Sequence, residues 1–521
     1  MSAAMLDSPT IWGLLVRRVE QAPDADLAID GISGERLTCI RALQRAEYLA
    51  ACLLAWGVGP GSLVSWQLPT GLTAFVLQLA LARLGAVQNP LISMFGPSEV
   101  EAVLRRCRPQ FYLVPQDGDS GLQGRAPHVL ARLARPPRLL VLPEAPLRVD
   151  TSALPSPPES GDAVRWIYVT SGTTAEPKGV RHADEALLRA GINLARAVGA
   201  SPSDVGTMAF PIGHVGGVMY TVMLLASGAS AVLLPRYQSA EAVAIFRRHG
   251  VTLTGGSTAH YQALLAEQRR LPERRLLPTL RLLSGGGAPK PPELVAQVRD
   301  ELGCVLAHAY GMTEAPLMAS CRASDNVEQL AHSDGAIADG MALRIVVGMG
   351  DGERTAAPGD EGEIRVRGPG VFKGYTDPAL DEVAFDSDGW FRTGDLGRLR
   401  PDGRVVVTGR LKDVIIRKGE NISAREIEDL LSRHPQVGAV AVIGLPDTER
   451  GERVCAVVEP RVAGQHLRFA DMVAWFEAAG VMRQKIPEQL ETVDALPRQG
   501  SFSKVSKTAL RERFASGTPR S

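Results

Sequence analysis

Several features that mark specialised classes of protein are scarce or missing in this chain of 521 residues. Cysteine occurs only six times and no CxxC pair is present, which disfavours a thiolate zinc site and favours a reducing compartment. The formal net charge is zero, because 57 Lys and Arg residues balance 57 Asp and Glu residues. A large nucleic-acid-binding surface would need a basic excess, so we expect no nucleic-acid partner.

Long apolar runs are also missing. The most apolar run, residues 75–87, is short and contains Arg83, whereas a membrane-spanning helix needs about 20 apolar residues. The N-terminus has no basic segment followed by a continuous apolar stretch, so we expect no secretory signal peptide. These absences predict a cytoplasmic protein without a membrane span.

The composition that is present indicates a globular protein with more than one packed unit. The length exceeds the roughly 250–300 residues at which a single hydrophobic core stops growing. Apolar spacing predicts a helix within residues 36–60, and strand and helix signals then alternate, which is typical of α/β layers with a mainly parallel sheet. The alternating segments are strand 63–68, helix 73–84, strand 229–234, helix 240–249, strand 251–254 and helix 260–268.

Two stretches depart from this alternation. Residues 116–162 are rich in Pro, Gly, Asp and Ser, which predicts irregular surface chain. From Glu363 onward, short strands are separated by glycines, with an Asp-Gly hairpin turn at residues 401–404 and a helix after Ser423. The sequence therefore predicts an α/β fold with a large N-terminal domain of layered mixed sheets and helices, and a small α+β unit at the C-terminus.

The most informative segment is WIYVTSGTTAEPKGV at residues 166–180. An apolar strand ends in a loop whose small hydroxyl and glycine residues offer donors and allow close backbone approach, and Lys178 adds a positive charge. Such a loop suits a polyphosphate, although the Walker pattern GxxxxGK[ST] is absent. From these residues alone, an ordinary polar turn is the alternative.

The full string resembles the phosphate-loop signature [YF]xxSGTTGxPKG of the acyl-adenylate-forming superfamily. That superfamily includes acyl-CoA synthetases, firefly luciferase and the adenylation domains of nonribosomal peptide synthetases. One position departs from the pattern, since Ala175 stands where the family usually has Gly. Further segments resemble family motifs in the family's order, so the resemblance covers about residues 10–515. They are FPIGHVGG (210–217), LLSGGGAP (282–289), AHAYGMTEA (307–315), GWFRTGDLGR (389–398) and TGRLKDVIIRKGENISAREIE (408–428).

The resemblance implies an ATP site with a magnesium ion. Tyr310 would stack on adenine, Asp395 would accept hydrogen bonds from both ribose hydroxyls, Thr313 would bond a phosphate, and Glu314 would bind Mg²⁺, a hard cation that prefers oxygen ligands. The implied ATP-binding residues are Thr170, Ser171, Gly172, Thr173, Thr174, Lys178, Gly286, Gly287, Ala288, Pro289, His308, Ala309, Tyr310, Gly311, Asp395 and Arg410.

The resemblance also implies an acyl pocket. His214 would line it and sense adenylation, and the glycines at 255 and 256 leave little side-chain volume, which favours a wide pocket. Candidates beside His214 are Val215, Val218, Gly255, Gly256, Ser257, His260 and Met312. The segment FPIGHVGG has no carboxylate to pair a substrate ammonium, so we do not expect an amino acid substrate.

The C-terminal part of the resemblance implies a catalytic lysine on a mobile domain. Family members typically end PxTxxGK, whereas this chain reads PRQGSFSK, which makes Lys504 the catalytic candidate and Lys507 its rival. Lys412 falls at the hinge position, and Lys418 and Gly419 fall where related ligases contact CoA. With the hinge at 410–412, the implied domains are residues 1–409 for ATP and acyl binding and residues 410–521 for the small mobile domain.

The implied activity is that of an ATP-dependent carboxylic acid–CoA ligase. A substrate carboxylate would form an acyl-adenylate with release of pyrophosphate, and CoA would then take the acyl group and release AMP, with ATP, Mg²⁺ and coenzyme A as cofactors. The acid would be alicyclic, aromatic or medium-chain. Two alternatives stay open, namely an acyl-AMP ligase that loads a carrier protein and a non-catalytic nucleotide-binding paralogue. A homodimer is common among relatives.

Overall fold

The computed structural model describes residues 5–116, 121–142, 149–170, 177–271, 274–287, 290–348, 352–417, 420–447, 451–479, 483–499 and 504–515. The chain forms two compact units of unequal size. The first unit contains Met1–Leu343 and Val366–Phe391, and the second contains Arg344–Arg365 and Arg392–Ser521. A larger N-terminal and a smaller C-terminal unit, both mixing helices and strands, confirm the predicted fold class. The predicted functional boundary at residues 409 and 410 stays a prediction.

The helices of the first unit cover the strands of its sheets. Helix α3 is buried on almost all sides, as expected for an apolar helix that other elements surround, and it ends at Gly85, whose φ of 68° only glycine adopts readily. The helices are α1 Ile11–Gln21, α2 Cys39–Ala55, α3 Leu72–Leu84, α4 Pro97–Cys107, α5 Leu122–Leu130, α6 Asp184–Val198, α7 Val215–Ser227, α8 Ser239–Arg248, α9 Thr258–Arg269, α10 Pro292–Gln297, α11 Val327–His332 and α12 Asp381–Ala384. Shorter helical turns are Thr151–Ala153, Val298–Leu302 and Pro378–Leu380.

The strands of the first unit are largely parallel. They are β1 Asp26–Asp30, β2 Arg36–Thr38, β3 Leu63–Gln67, β4 Val87–Leu91, β5 Phe111–Pro115, β6 Arg138–Leu142, β7 Val164–Thr170, β8 Lys178–Ala183, β9 Val205–Met208, β10 Ser230–Leu233, β11 Leu253–Gly256, β12 Leu282–Gly286, β13 Val305–Met312, β14 Ala315–Ser320 and β15 Gly335–Ile337. One sheet has the order β2-β1-β10-β9, another has β6-β5-β3-β4-β7-β8, and a third run has β11-β12-β13-β14-β15. A continuous core that includes Trp66, Phe75 and Trp166 lies among these elements.

The second unit consists mainly of antiparallel strands. Its strands, three of which begin or end across the unit boundary, are β16 Ala342–Val347, β17 Arg354–Thr355, β18 Gly362–Arg367, β19 Phe391–Leu399, β20 Arg404–Arg410, β21 Val414–Arg417, β22 Glu420–Ser423, β23 Val437–Asp447, β24 Gly451–Pro460, β25 Gln489–Thr492, β26 Arg498–Gln499 and β27 Lys504–Val505. Its helices are α13 Ala424–Leu431, α14 Phe469–Ala478 and α15 Lys507–Phe514, and its shorter turns are Leu411–Asp413 and Arg483–Lys485. The strand orders are β20-β19-β18-β16-β17, β22-β21-β24-β23 with β25 beside β24, and the pair β26-β27.

Most of the elements predicted from apolar spacing are present. Helices α2, α3, α8 and α9 and strands β3, β10 and β11 confirm the predicted alternation, and β19 and β20 form the predicted Asp-Gly hairpin. The prediction of irregular chain over residues 116–162 is wrong in part, because this stretch contains α5 and β6, and β6 pairs with β5. Within the described ranges, no helix has the length and apolarity needed to cross a membrane.

Candidate functional site

The glycine-rich segment connects the two strands of a hairpin. Strands β7 and β8 run antiparallel, and Thr170 is the ladder partner of Lys178, so these two residues hold the ends of the intervening loop together. The backbone of β8 also pairs on its other side with a later segment, since Thr376 N–H donates to the Gly179 carbonyl at 2.8 Å. The loop residues predicted to bind phosphate, Ser171, Gly172, Thr173 and Thr174, lie outside the described residues.

A tyrosine joins the predicted phosphate-binding lysine to the predicted magnesium-binding carboxylate. The Lys178 Nζ lies 5.4 Å from the ring centroid of Tyr375, and the Tyr375 hydroxyl donates to Glu314 Oε1 at 2.8 Å. Tyr375 is 5% exposed and Glu314 is 8% exposed, so the hydrogen bond between them forms out of bulk water, whereas Lys178 is partly exposed. Burial and the Glu314 carboxylate raise the pKa of Tyr375, which keeps its phenol protonated and able to donate.

The turn that carries Thr313 and Glu314 is held by two further hydrogen bonds. His182 Nε2, on β8, lies 2.6 Å from the Thr313 carbonyl, and the Phe372 N–H donates to the Glu314 carbonyl at 2.8 Å. Burial lowers the pKa of His182 to about 4, so the ring is neutral at pH 7 and donates from Nε2. Strand β8 thus belongs to the phosphate-loop hairpin and also contacts the Thr313–Glu314 turn, through the His182 side chain.

The predicted adenine-binding residues lie at the carboxyl ends of adjacent parallel strands. Gly256 at the end of β11 pairs with Gly285, and Gly286 at the end of β12 pairs with Ala309 on β13. A Cβ on Gly286 would stand 2.1 Å from the Ala309 carbonyl oxygen, so only glycine permits this approach. Ligands of α/β proteins commonly bind at such a strand edge.

The last residues of β13 follow the same edge. His308, Ala309 and Tyr310 are buried, and His308 Nε2 lies 3.8 Å from Asp334 Oδ1. The pairing of β13 with β14 shifts register between Tyr310 and Met312, and a Cβ on the intervening Gly311 would stand 2.1 Å from the Pro316 carbonyl oxygen. Gly287 is described, with a φ of 82°, whereas Ala288 and Pro289 lie outside the described residues.

His214 lies at the N-cap of α7, where its Nδ1 accepts a hydrogen bond from the Gly216 N–H at 3.1 Å. The preceding turn is braced by Thr70, whose hydroxyl donates to the Phe210 carbonyl at 2.8 Å and accepts from the Ile212 N–H at 2.9 Å. A small cleft of about 20 Å³ adjoins this turn. Its lining includes three predicted site residues, His214, Val215 and Thr313, together with Leu91, Phe95 and Tyr168.

The other acyl-pocket candidates pack against aromatic and imidazole rings. A Cβ on Gly255 would stand 3.4 Å from the Phe210 ring, and one on Gly256 would stand 2.9 Å from the His260 ring. Ser257 and His260 form a reciprocal cap at the start of α9, with Ser257 Oγ 3.1 Å from His260 Nδ1. These rings occupy the space beside the two glycines. Val218 is buried in α7.

The second unit holds the predicted ribose-binding pair. Asp395 on β19 and Arg410 on β20 are ladder partners, and Arg410 Nε lies 2.9 Å from Asp395 Oδ1. Asp395 is buried and Arg410 is half-exposed, so the pair presents its guanidinium toward solvent. Lys412 follows in the turn Leu411–Asp413 and is exposed.

The two candidate catalytic lysines differ in their surroundings. Lys504 lies on β27, where its backbone pairs with Gln499, while its side chain lies outside the described part of the chain. Lys507 begins α15, and its Nζ lies 2.8 Å from Glu428 Oε1 and 3.9 Å from Asp413 Oδ2. Lys418 and Gly419, predicted to contact CoA, lie outside the described residues.

Sequence reasoning missed His182 and Tyr375, which contact the predicted site residues. Neither residue lies in one of the motif segments from which the site was predicted, and Tyr375 reaches Glu314 across 61 positions of sequence. No local pattern of spacing signals such contacts, because they depend on the pairing of β8 with residues 373–376.

The side chains around Glu314 fit a metal ion that is coordinated partly by the protein and partly by a bound ligand. No group of three or more His, Cys, Asp or Glu side chains suited to hold a metal occurs in the described ranges. Glu314 offers a carboxylate, the hard oxygen donor that Mg²⁺ prefers, and Mg²⁺ commonly takes its remaining ligands from water and substrate phosphates. The donor set at Glu314 therefore fits a nucleotide-bound Mg²⁺.

Comparison with known proteins completes the description of the site. A family model described as AMP-binding enzyme matches residues 15–376, and one described as AMP-binding enzyme C-terminal domain matches residues 426–503. The medium-chain fatty-acid–CoA ligase of Escherichia coli is 32% identical over 485 residues, covering 89% of this chain and 84% of that protein. The salicyl-AMP ligase / salicyl-S-ArCP synthetase of Mycobacterium tuberculosis is 34% identical over 486 residues, covering 90% and 83%. The solved structure of ATP-bound MatB from Rhodopseudomonas palustris matches with a TM-score of 0.85 at 27% identity, covering 97% of this chain and 99% of that one.

Proposed function

The chain belongs to the AMP-binding enzyme family, and on that premise we propose how its residues divide the work of an ATP-dependent carboxylic acid–CoA ligase. The enzyme is an AMP-forming acid–thiol ligase that uses ATP, Mg²⁺ and coenzyme A. One observation carries the assignment of roles in the first unit. Lys178 and Glu314, a cation and a carboxylate suited to a polyphosphate and its metal, both contact Tyr375.

In the first half-reaction, an oxygen of the substrate carboxylate attacks the α-phosphorus of ATP, and pyrophosphate leaves. The reaction brings anions together and builds charge on the phosphate, so cations and hydroxyl donors lower its barrier. We assign phosphate binding to Lys178, Thr313 and the hydroxyls of residues 170–174, adenine stacking to Tyr310, and ribose binding to Asp395 and Arg410. The residues at the strand edge, Gly286, Gly287, Ala288, Pro289, His308, Ala309 and Gly311, complete the proposed ATP site.

Magnesium would be held by Glu314 and would neutralise phosphate charge when bound with ATP. The chain's own contribution is the position of the Glu314 carboxylate, which is fixed by the Tyr375 hydroxyl and by the Phe372 N–H on its backbone. Thr313 is fixed in the same turn through its carbonyl, which accepts from His182.

Lys504 is the proposed catalytic cation of the first half-reaction. A single positioned electrostatic donor contributes about 3–4 kcal/mol to such a barrier. The surroundings of Lys507 support this choice, because its ammonium is engaged by Glu428 and Asp413 within the second unit. An ammonium held by two carboxylates serves the fold of that unit.

In the second half-reaction, the CoA thiol attacks the carbonyl of the acyl-adenylate, the thioester forms and AMP leaves. We assign CoA contact to Lys418 and Gly419, and a hinge role to Lys412, from their positions in the motif at 408–428. His214, Val215, Val218, Gly256, Ser257 and Met312 would line the acyl pocket. The side chains around His214 are mostly apolar, which supports an apolar acid such as a medium-chain or aromatic one.

A carrier protein is the alternative acceptor. It is favoured by the relative named salicyl-AMP ligase / salicyl-S-ArCP synthetase, and opposed by the relative named medium-chain fatty-acid–CoA ligase. A cytoplasmic location is supported by the six cysteines, none of which forms a disulfide and most of which are buried. A homodimer is also part of the proposal, by analogy with the family alone.

A panel of carboxylic acids tests the proposal. The purified chain is incubated with ATP, Mg²⁺ and each acid, with and without CoA, and pyrophosphate, AMP and thioesters are measured by mass spectrometry. We expect pyrophosphate with a subset of apolar acids and a CoA thioester only when CoA is present. Adenylate formation that never leads to a CoA thioester would favour the carrier-protein acceptor, and failure to release pyrophosphate with every acid would refute the proposed chemistry.

A further inference from the structure

Tyr375 makes two polar contacts at the proposed ATP site, and each is made by a different part of its side chain. The hydroxyl donates to Glu314 Oε1 at 2.8 Å, and the face of the ring lies 5.4 Å from Lys178 Nζ. The ring is held in turn by Phe372, whose centroid lies 4.8 Å away at an interplanar angle of 67°. The Tyr375 N–H donates to Asp381 Oδ1 at 2.8 Å, which fixes the backbone as well.

Through these contacts, one side chain reaches two groups of opposite charge, the Lys178 ammonium and the Glu314 carboxylate. A direct Lys–Glu ion pair would satisfy both charges and compete with a phosphate and a metal. A phenol donates to the carboxylate while leaving it anionic, and an aromatic face attracts the ammonium while leaving its hydrogens available. Tyrosine is the side chain that supplies both contacts at once.

We propose that Tyr375 is a positioning residue for the ATP–Mg²⁺ complex, with its hydroxyl orienting the Glu314 carboxylate and its ring orienting the Lys178 ammonium. This inference rests on the proposed function, because it takes Glu314 as a metal ligand and Lys178 as a phosphate ligand. In this proposal, each of the two contacts affects the binding of a different ligand. The hydroxyl acts on metal affinity, and the ring acts on nucleotide affinity.

Outer-shell hydrogen bonds of this kind are worth about 10–100-fold in metal affinity. Tyr375→Phe removes the hydroxyl and keeps the ring, so we expect Mn²⁺, used in place of Mg²⁺, to bind about tenfold more weakly in the presence of ATP. ATP binding without metal should stay within twofold of the native value. Tyr375→Leu removes both contacts and should weaken metal-free ATP binding as well.

The measurement uses the full chain. Mn²⁺ binding is followed by electron paramagnetic resonance with ATP present, and ATP binding without metal is followed by calorimetry. The matched control is Tyr112→Phe, which removes an equally short hydrogen bond, from the Tyr112 hydroxyl to Gln67 Oε1 at 2.8 Å, from another buried tyrosine. This control should leave both affinities unchanged.

Three results with the tyrosine variants would overturn the inference. They are an unchanged Mn²⁺ affinity in Tyr375→Phe, an equal loss in Tyr112→Phe, and a loss of fold in Tyr375→Phe while Tyr112→Phe stays folded. The last result would assign the hydroxyl to stability. Failure of the proposed function is a separate outcome, because a chain that binds Mn²⁺ with ATP yet activates no acid refutes the ligase chemistry and still allows the Tyr375 comparison. Glu314→Gln completes the set, and an unchanged Mn²⁺ affinity in that variant would remove Glu314 as the ligand and the inference with it.

Discussion

At the scale of single residues, the proposed site depends on neutral groups that hold charged ones. His182 is fully buried and donates to the Thr313 carbonyl, and the other ring nitrogen, Nδ1, has no hydrogen-bond partner among the described residues. Protonation would place a positive charge in this apolar surrounding, which is why burial lowers the pKa of His182 to about 4. The position of the Thr313–Glu314 turn is therefore linked to pH through His182, a residue outside the proposed ligand-binding set.

The pKa of His182 predicts a pH dependence of stability. An unfolded histidine titrates near 6.5, so between pH 6.5 and pH 4 this histidine is protonated in the unfolded state and largely neutral in the folded state. The free energy of unfolding should accordingly fall by about 3 kcal/mol over this window from His182 alone. His182→Gln keeps a donor for the Thr313 carbonyl and removes the titration. Urea unfolding of both proteins at pH 7 and pH 4 should show the gap between them shrinking or reversing in favour of the variant as the pH falls, and a gap that does not change with pH would contradict this account.

At this scale, site residues that lie within motifs could be predicted from the sequence, whereas the residues that hold them in position could not. The predicted residues include Lys178, Glu314 and Asp395, each of which lies in a continuous segment that resembles a family motif. Tyr375 and His182 act through side chains that only the folded chain brings to the site. A lone tyrosine after a glycine and a lone histidine in a strand carry no spacing signal, because their partners lie on other elements.

At the scale of elements, the turn before α7 places His214 by close packing of backbone against backbone. A Cβ on Gly213 would stand 2.4 Å from the Leu91 carbonyl oxygen, a distance that requires the backbone to shift. The turn is also tied to Thr70, which bonds Phe210 and Ile212. Gly213, the first glycine of FPIGHVGG, is thus explained by the approach of β4 to this turn.

Gly213→Ala should move this turn. Overpacking of this kind costs about 1–3 kcal/mol of unfolding free energy, and displacement of His214 should lower the rate of adenylate formation as well. Gly59→Ala is the control, because a Cβ on Gly59 meets no atom within 4 Å. Thermal unfolding and pyrophosphate release are measured for both variants. An alanine at 213 that leaves both quantities as in the native protein would show that the turn accommodates a side chain, and that the close approach is not required.

Elements with strong periodicity were predictable, and short ones in Pro- and Gly-rich chain were not. Helix α2 and helix α9 follow apolar spacing that the sequence displays directly. Strand β6 is the five-residue segment RLLVL between proline-rich stretches, and its hydrogen bonds to β5 give it its conformation. Helix α5 contains Pro127, a residue that argues against a helix from sequence alone.

At the scale of the whole molecule, the proposed site residues divide between two units. The first unit carries Lys178, Glu314 and His214, and the second carries Asp395, Arg410 and Lys504. The second unit also includes residues 344–365, since strands β16, β17 and β18 belong to the same strand order as β19 and β20. The chain leaves the first unit at residue 344, returns to it at residue 366 and leaves it again at residue 392, so this division does not follow a single boundary along the sequence.

The two half-reactions make different demands on these units, and Lys504 is the residue that separates them. The attack of a carboxylate on the α-phosphorus needs a cation against accumulating negative charge, whereas the attack of a thiol on an adenylate starts from an activated carbonyl with AMP as leaving group. Lys504→Ala should therefore abolish adenylate formation, measured as pyrophosphate–ATP exchange, and spare thioester formation from a supplied acyl-adenylate and CoA.

Lys507→Ala is the comparison that decides which lysine of the C-terminal motif, Lys504 or Lys507, is the catalytic one. Its ammonium is paired with Glu428 and Asp413, so its loss should lower the unfolding free energy by about 2 kcal/mol and leave adenylate formation per folded molecule largely intact. Equal loss of both half-reactions in Lys504→Ala would reject the division of labour. A harmless Lys504→Ala beside an inactive but folded Lys507→Ala would move the catalytic role to α15, and the ion pairs of Lys507 would then have to open before ATP reacts.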